Sequence, residues 1–134
     1  MNTTLILVIC LISIVKAGML TDEQKKKILE YGQECLKESG AELDVVLDAA
    51  KGKYVDDPKL KKQILCFNKR IGVQGPDGKL VMDMVKTRLT AVTKDQKKTE
   101  EIVKQCVIER NTPEDTAFET AKCLHQMVPD EKIV

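Results

Sequence analysis

Residues 57–78 read DPKLKKQILCFNKRIGVQGPDG, and this stretch decides the fold because it predicts a helix with clear start and stop signals. Asp57 suits the N-cap, and Pro58 suits the first helical position, where its missing N–H costs nothing. Apolar residues recur at helical spacing on one face, at Leu60, Ile64, Phe67 and Ile71. Gly72 can take the left-handed conformation that ends a helix, and residues 75–78, GPDG, are a dense turn signal.

The beginning of the chain has the features of a secretory signal peptide. Leu5 to Val15 is an eleven-residue apolar run, and Val15-Lys16-Ala17 fits the small-x-small cleavage pattern. A membrane-spanning helix needs about 20 apolar residues, so the run is too short to span a bilayer. The alternative is a core helix. We predict cleavage after Ala17, with Gly18 next in line, so that residues 1–17 and Cys10 are removed.

The mature chain, residues 18–134, has the length of one domain and balanced charge. Loss of Lys16 with the leader leaves 21 basic residues against 21 acidic residues. A chain without a basic face does not favour a nucleic-acid partner. No second apolar run is long enough to cross a bilayer. We therefore expect a secreted, soluble single domain without stable membrane insertion.

Four cysteines remain after cleavage, at positions 35, 66, 106 and 123. An even number in a small secreted chain implies two disulfides, with three possible connectivities. The chain has no C-x-x-C pair and a single histidine, His125, so a zinc site is not expected. The helix that contains Cys66 can therefore be linked to a neighbour, but the spacing leaves the partner open.

Two helices are predicted before this central one. The first runs from about Asp22 to Ser39, and Thr21 with Gln24 forms a capping box at its start. The second runs from about Ala41 to Lys51 and begins on Ser39 with Glu42 three residues on.

Three further helices are predicted after the turn. They cover Leu80 to Leu89, a segment from Thr93 to Asn111 in which Thr93 and Gln96 form the cap, and a segment from Thr112 to Pro129. No alternating strand pattern is present. The fold class is therefore all-α, a bundle of six short helices.

The pattern resembles the insect odorant-binding proteins of the pheromone and general odorant-binding family over essentially the whole mature chain. LKKQILCFNKRIGVQGPDGKL is similar to the family segment around its second and third cysteines, with Lys62 at the second position and Cys66 at the third. EDTAFETAKC is similar to the segment from the fifth to the sixth, with Glu114 at the fifth and Cys123 at the sixth. The first and fourth cysteines are matched by residues 35 and 106.

The departure from the family pattern is specific, because the family normally bridges the two positions that here hold Lys62 and Glu114. Two missing cysteines are typical of the four-cysteine "minus-C" subgroup, whereas the insect chemosensory proteins have much closer cysteine spacing. The resemblance implies the disulfides Cys35–Cys66 and Cys106–Cys123. We hypothesise that Lys62 and Glu114 still face each other as opposite charges; the alternative is two unrelated surface charges.

No pattern of catalytic residues is present. The chain has no G-x-S-x-G, no phosphate-binding glycine loop and no H-E-x-x-H. Cys123 lies near His125, but an even cysteine set in a secreted protein is normally oxidised, which does not favour a Cys–His nucleophile. We expect a protein that is not an enzyme and that has no cofactor and no metal.

The resemblance implies that the helices enclose an apolar cavity that holds small ligands by burial. We expect the lining to comprise Met82, Val85, Leu89, Phe118, Leu124 and Met127. Methionine is flexible and adapts to irregular ligands, although each methionine can equally fill core. The mature chain has four aromatic residues and no Trp, so the cavity should suit aliphatic or terpenoid volatiles.

The expected function is an extracellular carrier that delivers odorants or pheromones to chemosensory receptors, as a monomer or weak dimer in sensillar lymph. The alternatives are a secreted carrier of a gland, venom or saliva, and an interaction protein with a fully packed core. His125 is a candidate release switch because histidine is the side chain that titrates near neutral pH, and the alternative is a solvated histidine at a helix end. Ile133 and Val134, in the tail after Pro129, are candidates to cover the cavity, and the alternative is a frayed tail.

Overall fold

The structure is a computed structural model, and it describes residues 21–128. Six helices follow one another: α1 (Asp22–Ser39), α2 (Leu43–Ala50), α3 (Pro58–Ile71), α4 (Met82–Thr93), α5 (Gln96–Cys106) and α6 (Pro113–Met127). Between residues 21 and 128 the chain forms no strand, and one isolated antiparallel bridge joins Gln74 to Leu80. The predicted all-α class with six helices is therefore confirmed.

Two sequence predictions concern residues that the structure does not describe. The signal peptide, residues 1–17, and the tail residues Ile133 and Val134 lie outside the described residues. None of the helices within residues 21–128 is long and apolar enough to cross a membrane.

Helix α3 organises the bundle, because it packs against both α1 and α6. Asp57 caps its start by accepting a hydrogen bond from the Lys59 backbone N–H at 3.0 Å. Gly72 ends it in the left-handed conformation, with φ of 85°. Most of the predicted stripe is fully buried, namely Leu60, Ile64 and Phe67, and Ile71 is partly buried against the core. The predicted limits of this helix are confirmed.

In the rest of the bundle, α4 packs against α5, and α5 packs against α6. Two disulfides reinforce the bundle: Cys35–Cys66 joins α1 to α3, and Cys106–Cys123 joins α5 to α6. Their Cα–Cα distances of 5.7 and 5.4 Å lie in the ordinary range for disulfides. The pairing that the family resemblance implied is confirmed.

The predicted start of α2 was wrong. The helix begins at Leu43 with Glu42 at its N-cap, and Ser39 is instead the last residue of α1. The Ser39 hydroxyl is used elsewhere, since it donates to Gln63 Oε1 at 2.9 Å and accepts from the Ala41 N–H. A buried polar contact between α1 and α3 thus replaces the expected cap.

The predicted limits of α4 were also wrong, because the helix runs from Met82 to Thr93 instead of Leu80 to Leu89. The Val81 N–H donates to the Val73 carbonyl at 2.9 Å, which keeps the preceding residues in an extended connection. Lys94 then ends the helix in the left-handed conformation, with φ of 56°.

Helix α5 is capped by Asp95 and not by Thr93, which belongs to α4. It ends at Cys106 and does not continue to Asn111. The physical reason lies in α6, because the Arg110 N–H donates to Thr116 Oγ1 at 2.7 Å and ties this segment to the next helix. The predicted start of α6 is confirmed: Thr112 accepts from the Asp115 N–H at 3.0 Å, with proline at the first helical position.

Candidate ligand-binding site

A small, mostly apolar pocket lies between α3, α4 and α6, beside the connection of residues 72–81. Its volume is about 10 Å³, and it is lined by Asn68, Val73, Leu80, Val85, Thr120, Ala121 and Leu124. A space of this size holds about one water molecule. The helices must therefore separate before the pocket can admit a larger molecule.

The six residues predicted to line the ligand cavity occupy different places. Four are buried, at 2–7% exposure, namely Val85, Leu89, Phe118 and Leu124. Of these, Val85 and Leu124 line the small pocket. Met127 is partly buried against the core, and Met82, at the start of α4, is 40% exposed.

Two polar residues of the pocket, Asn68 on α3 and Thr120 on α6, were missed by the sequence reasoning. They are only 3% and 5% exposed. Asn68 Oδ1 and Thr120 Oγ1 are buried without a hydrogen-bond partner among residues 21–128. Helical spacing could have found Thr120, because it lies three residues after Ala117 and four before Leu124 on the buried stripe of α6.

Gln74 fixes the orientation of the Asn68 amide. Its own side chain is 1% exposed, and its Nε2 donates to the carbonyl oxygens of Gly78 at 2.7 Å and Pro113 at 3.3 Å. Gln74 Oε1 therefore faces Asn68 and accepts a hydrogen bond from Asn68 Nδ2 at 2.7 Å. Since the amide nitrogen of Asn68 is used in this way, its oxygen is the atom left without a partner.

Phe118 and His125 belong to a second cluster on α6, around Tyr54. The Tyr54 ring lies 5.9 Å from each of their ring centroids, in edge-to-face geometry with Phe118. The Lys61 ammonium lies 5.3 Å from the Phe118 centroid. His125 is half-buried beside Gly52, and none of these residues lines the small pocket.

Lys62 and Glu114 line one open cleft of about 270 Å³ on the surface, where α1, α3 and the start of α6 meet. Within residues 21–128, no ion pair joins them at 4.0 Å or less. Their sequence neighbours pair instead, since Lys61 Nζ lies 2.9 Å from Asp115 Oδ1. The hydrogen bond from Lys61 lowers the pKa of Asp115, and the hydrogen bond to Asp115 raises the pKa of Lys61.

Residues 21–128 contain no cluster of side chains suited to bind a metal ion. No group of three or more His, Cys, Asp or Glu side chains there could hold a metal ion. All four cysteines of this part are in disulfides.

Six helices linked by two disulfides around a mostly aliphatic interior define a small, disulfide-linked all-α protein. The chain belongs to the PBP/GOBP family, whose model matches residues 17–127. This is a family of small carriers of odorants and pheromones, so the resemblance recognised in the sequence is confirmed.

Two relatives from Tenebrio molitor are similar over nearly the whole chain. The B1 protein is 40% identical over 120 residues, which cover 90% of this chain and 92% of that protein. The B2 protein is 41% identical over 120 residues, which cover 90% of this chain and 94% of that protein. No solved structure matches the chain at a significant level.

Proposed function

We propose that the protein is an extracellular carrier that binds small apolar odorants or pheromones between α3, α4 and α6 and delivers them to chemosensory receptors. The observation that carries the proposal is the pocket itself, because its walls are mostly aliphatic and it lies between helices of a bundle from a carrier family. Binding by burial gives about 0.8 kcal/mol for each CH₂ removed from water. No catalytic group is required for this role.

The ligand enters when α4 moves away from α3 and α6. Helix α4 packs mainly against α5, and its N-cap residue, Val81, makes no side-chain capping bond. Its attachment to α3 includes one hydrogen bond, from Arg88 Nη2 to the Ile71 carbonyl at 3.0 Å. A helix held in this way can separate from the pocket at a lower cost than α3, which packs on two sides.

The predicted lining residues have graded roles in this proposal. Val85 and Leu124 contact the ligand first, because they already line the pocket. Leu89 and Met82 lie four residues after and three before Val85, so they extend the same wall along α4. Met127 extends the wall of α6 beyond Leu124, and Phe118 contacts only a ligand that also displaces Tyr54.

A displacement titration tests the carrier function. The mature, oxidised protein is titrated with a fluorescent apolar probe, since the chain has no Trp to report binding. The probe is then displaced with aliphatic alcohols and esters of increasing length. We expect saturable binding, and displacement that strengthens with chain length until the pocket is full.

A matched pair of variants locates the site. Val85→Ala widens the pocket, so the best chain length should increase by about one or two carbons. Val92→Ala makes the same change on the same helix outside the pocket lining, and it should leave the best length unchanged. If Val85→Ala and Val92→Ala prefer the same ligand chain length, the ligand binds outside this pocket.

The small volume of the pocket supports a second candidate, an interaction protein with a packed core. A pocket of about 10 Å³ holds no odorant without opening. If no probe binds saturably at neutral pH, this candidate replaces the carrier function, and a protein partner should then be sought.

A further inference from the structure

We propose that Arg88 on α4 is a carboxylate-recognition residue, so that the preferred ligand is an aliphatic carboxylic acid bound as its anion. The proposal rests on the carrier function and names the polar group of its ligand. It stands on a half-buried guanidinium that has no acidic partner in residues 21–128 and whose Nε lacks a hydrogen-bond partner there.

Arg88 lies close to the buried side of α4. It follows Val85, which lines the small pocket, by one turn and directly precedes Leu89, and both of these residues are buried. Its Nη2 donates to the Ile71 carbonyl at 3.0 Å. Ile71 ends α3, and Val73, two residues further on, also lines the pocket. The guanidinium is therefore held between α3 and α4, beside the segments that supply two pocket residues.

The positive charge of Arg88 has no carboxylate beside it in the part of the chain that the structure describes. No Asp or Glu oxygen there lies within 4.0 Å of its guanidinium. Arg70, by contrast, pairs with both Glu34 and Glu38 on α1. The one acidic residue of α4, Asp83, is exposed. A carboxylate for Arg88 must therefore come from outside these residues.

Burial makes the missing partner costly. It lowers the pKa of the Arg88 guanidinium because it disfavours the charged form, yet an arginine stays protonated at neutral pH. Arg88 Nε is buried without a hydrogen-bond partner in residues 21–128, and an unpaired buried donor on a charged group is unfavourable. A ligand that brings a negative charge and acceptor oxygens recovers that cost.

Entry of the ligand makes more of the guanidinium available. The proposed separation of α4 from α3 breaks the hydrogen bond from Arg88 to the Ile71 carbonyl. Nη2 can then donate to the ligand together with Nε, so that a charge-assisted contact replaces a contact to a neutral carbonyl. The aliphatic chain of the ligand contacts Val85 and Leu124, which line the pocket.

A carboxylate is the ligand group that fits a guanidinium best. The planar fork of N–H groups matches the two oxygens of a carboxylate, which accept two parallel hydrogen bonds. A primary amide has the same shape and the same number of heavy atoms, but it is neutral and has a single acceptor oxygen. An alkylamine is cationic at neutral pH and is repelled. For one chain length, the acid should bind most tightly, the amide less tightly and the amine least.

A purely structural role is the alternative for Arg88. Its side chain bonds to the last residue of α3, and a cation at a helix C-terminus interacts favourably with the helix dipole. That role contributes to stability, but it creates no preference between an acid and its amide. The ratio of these two affinities therefore distinguishes recognition from capping.

The test measures displacement of the fluorescent probe at pH 7 by a medium-chain alkanoic acid and by the primary amide of the same chain. We expect the acid to bind about tenfold more tightly than the amide to the wild-type mature protein. In Arg88→Gln, which removes the charge but keeps a donor for the Ile71 carbonyl, the ratio should fall to about one or below. Arg88→Lys keeps the charge without the planar fork, so it should retain a reduced preference.

Lys86→Gln is the matched control, because it makes the same change of charge at an exposed position of α4. It should keep the wild-type ratio. Each ratio compares two ligands in one protein, so a general loss of affinity cancels. If Arg88→Gln does not fold, Arg88→Lys decides, since an unchanged ratio in that variant would contradict recognition by the planar fork.

The outcomes separate the two proposals. Probe binding without a preference for the acid over the amide, or a preference that Arg88→Gln leaves unchanged, would overturn the carboxylate site and leave the carrier function standing. A wild-type protein that binds no probe at all would overturn both.

Discussion

Lys61 Nζ on α3 lies 2.9 Å from Asp115 Oδ1 on α6, one residue away on each helix from Lys62 and Glu114. The odorant-binding family normally joins the latter two positions by a disulfide. In this chain, a non-covalent contact between the same helices lies directly beside the missing bridge. No ion pair joins Lys62 to Glu114 within residues 21–128, and the opposite-charge contact between α3 and α6 is made by Lys61 and Asp115 instead.

Asp115→Asn should lower the melting temperature at pH 7 more than Asp56→Asn does. Both carboxylates bind Lys61, at 2.9 and 3.1 Å, but the Asp115 side chain is 38% exposed and that of Asp56 is 86% exposed. Water screens the Asp56 contact more effectively, which reduces what it contributes. Thermal unfolding of the two single variants measures the difference, and equal losses would contradict it.

The contribution of Asp115 should depend on pH in the acid range. Lys61 lowers the pKa of Asp115 in the folded protein, so the carboxylate stabilises the fold at pH values above the ordinary aspartate value of about 3.9. That stability is lost as the pH falls below about 4 toward the lowered folded value. The melting-temperature gap between wild type and Asp115→Asn should therefore be constant from pH 7 to 5 and shrink below pH 4. A gap that already closes at pH 5 would mean that another group titrates.

The double variant Lys62→Cys/Glu114→Cys should form a third disulfide. Both positions line one cleft, and their sequence neighbours, Lys61 and Asp115, already contact each other. The bridge would close a long loop, which stabilises by about 3–5 kcal/mol in the chain-entropy model. Mass spectrometry of free thiols and thermal unfolding provide the measurements.

Lys62→Ser/Glu114→Ser is the control for the double cysteine variant, since it removes both charges without adding a bridge. If two free thiols persist in the oxidised cysteine variant, the two side chains are too far apart or point in different directions.

Sequence patterns predicted the six helices because the residues that start and end a helix lie within it or next to it. Asp57, Pro58 and Gly72 set the limits of α3 through backbone geometry that neighbouring residues alone determine. The end of α5 was wrong because a contact to another helix, from Arg110 to Thr116, decides it. Likewise, the pairing of Lys61 with Asp115 depends on how α3 and α6 are aligned, which no spacing within either helix reveals.

The candidate site was harder to predict, for the same reason. Val85 and Leu124 were chosen as apolar residues on a stripe, and the structure places both at the pocket. From the sequence, Asn68 resembles a surface residue. In the structure it is buried, and its Nδ2 donates to Gln74 Oε1, six residues further on. Polar side chains show their role only when the partners around them are known.

Gly78→Ala should destabilise the fold far more than Gly40→Ala. Both glycines have positive φ, 83° and 72°, which costs other residues about 1–2 kcal/mol. At Gly78, however, an added Cβ would lie 2.5 Å from Pro113 Cβ, whereas at Gly40 the nearest atom is 3.9 Å away. We expect a loss of about 3 kcal/mol for Gly78→Ala, because overpacking adds to the backbone strain. Urea unfolding of the two variants would contradict this if their losses were equal.

Thr120→Val should stabilise the protein by about 1 kcal/mol. The Thr120 hydroxyl is buried without a partner in the described chain, so an isosteric apolar group avoids its desolvation cost. Thr87→Val, at an exposed position, should change the free energy of unfolding by no more than about 0.5 kcal/mol. Urea unfolding without ligand measures both. A loss of stability in Thr120→Val would contradict the expectation.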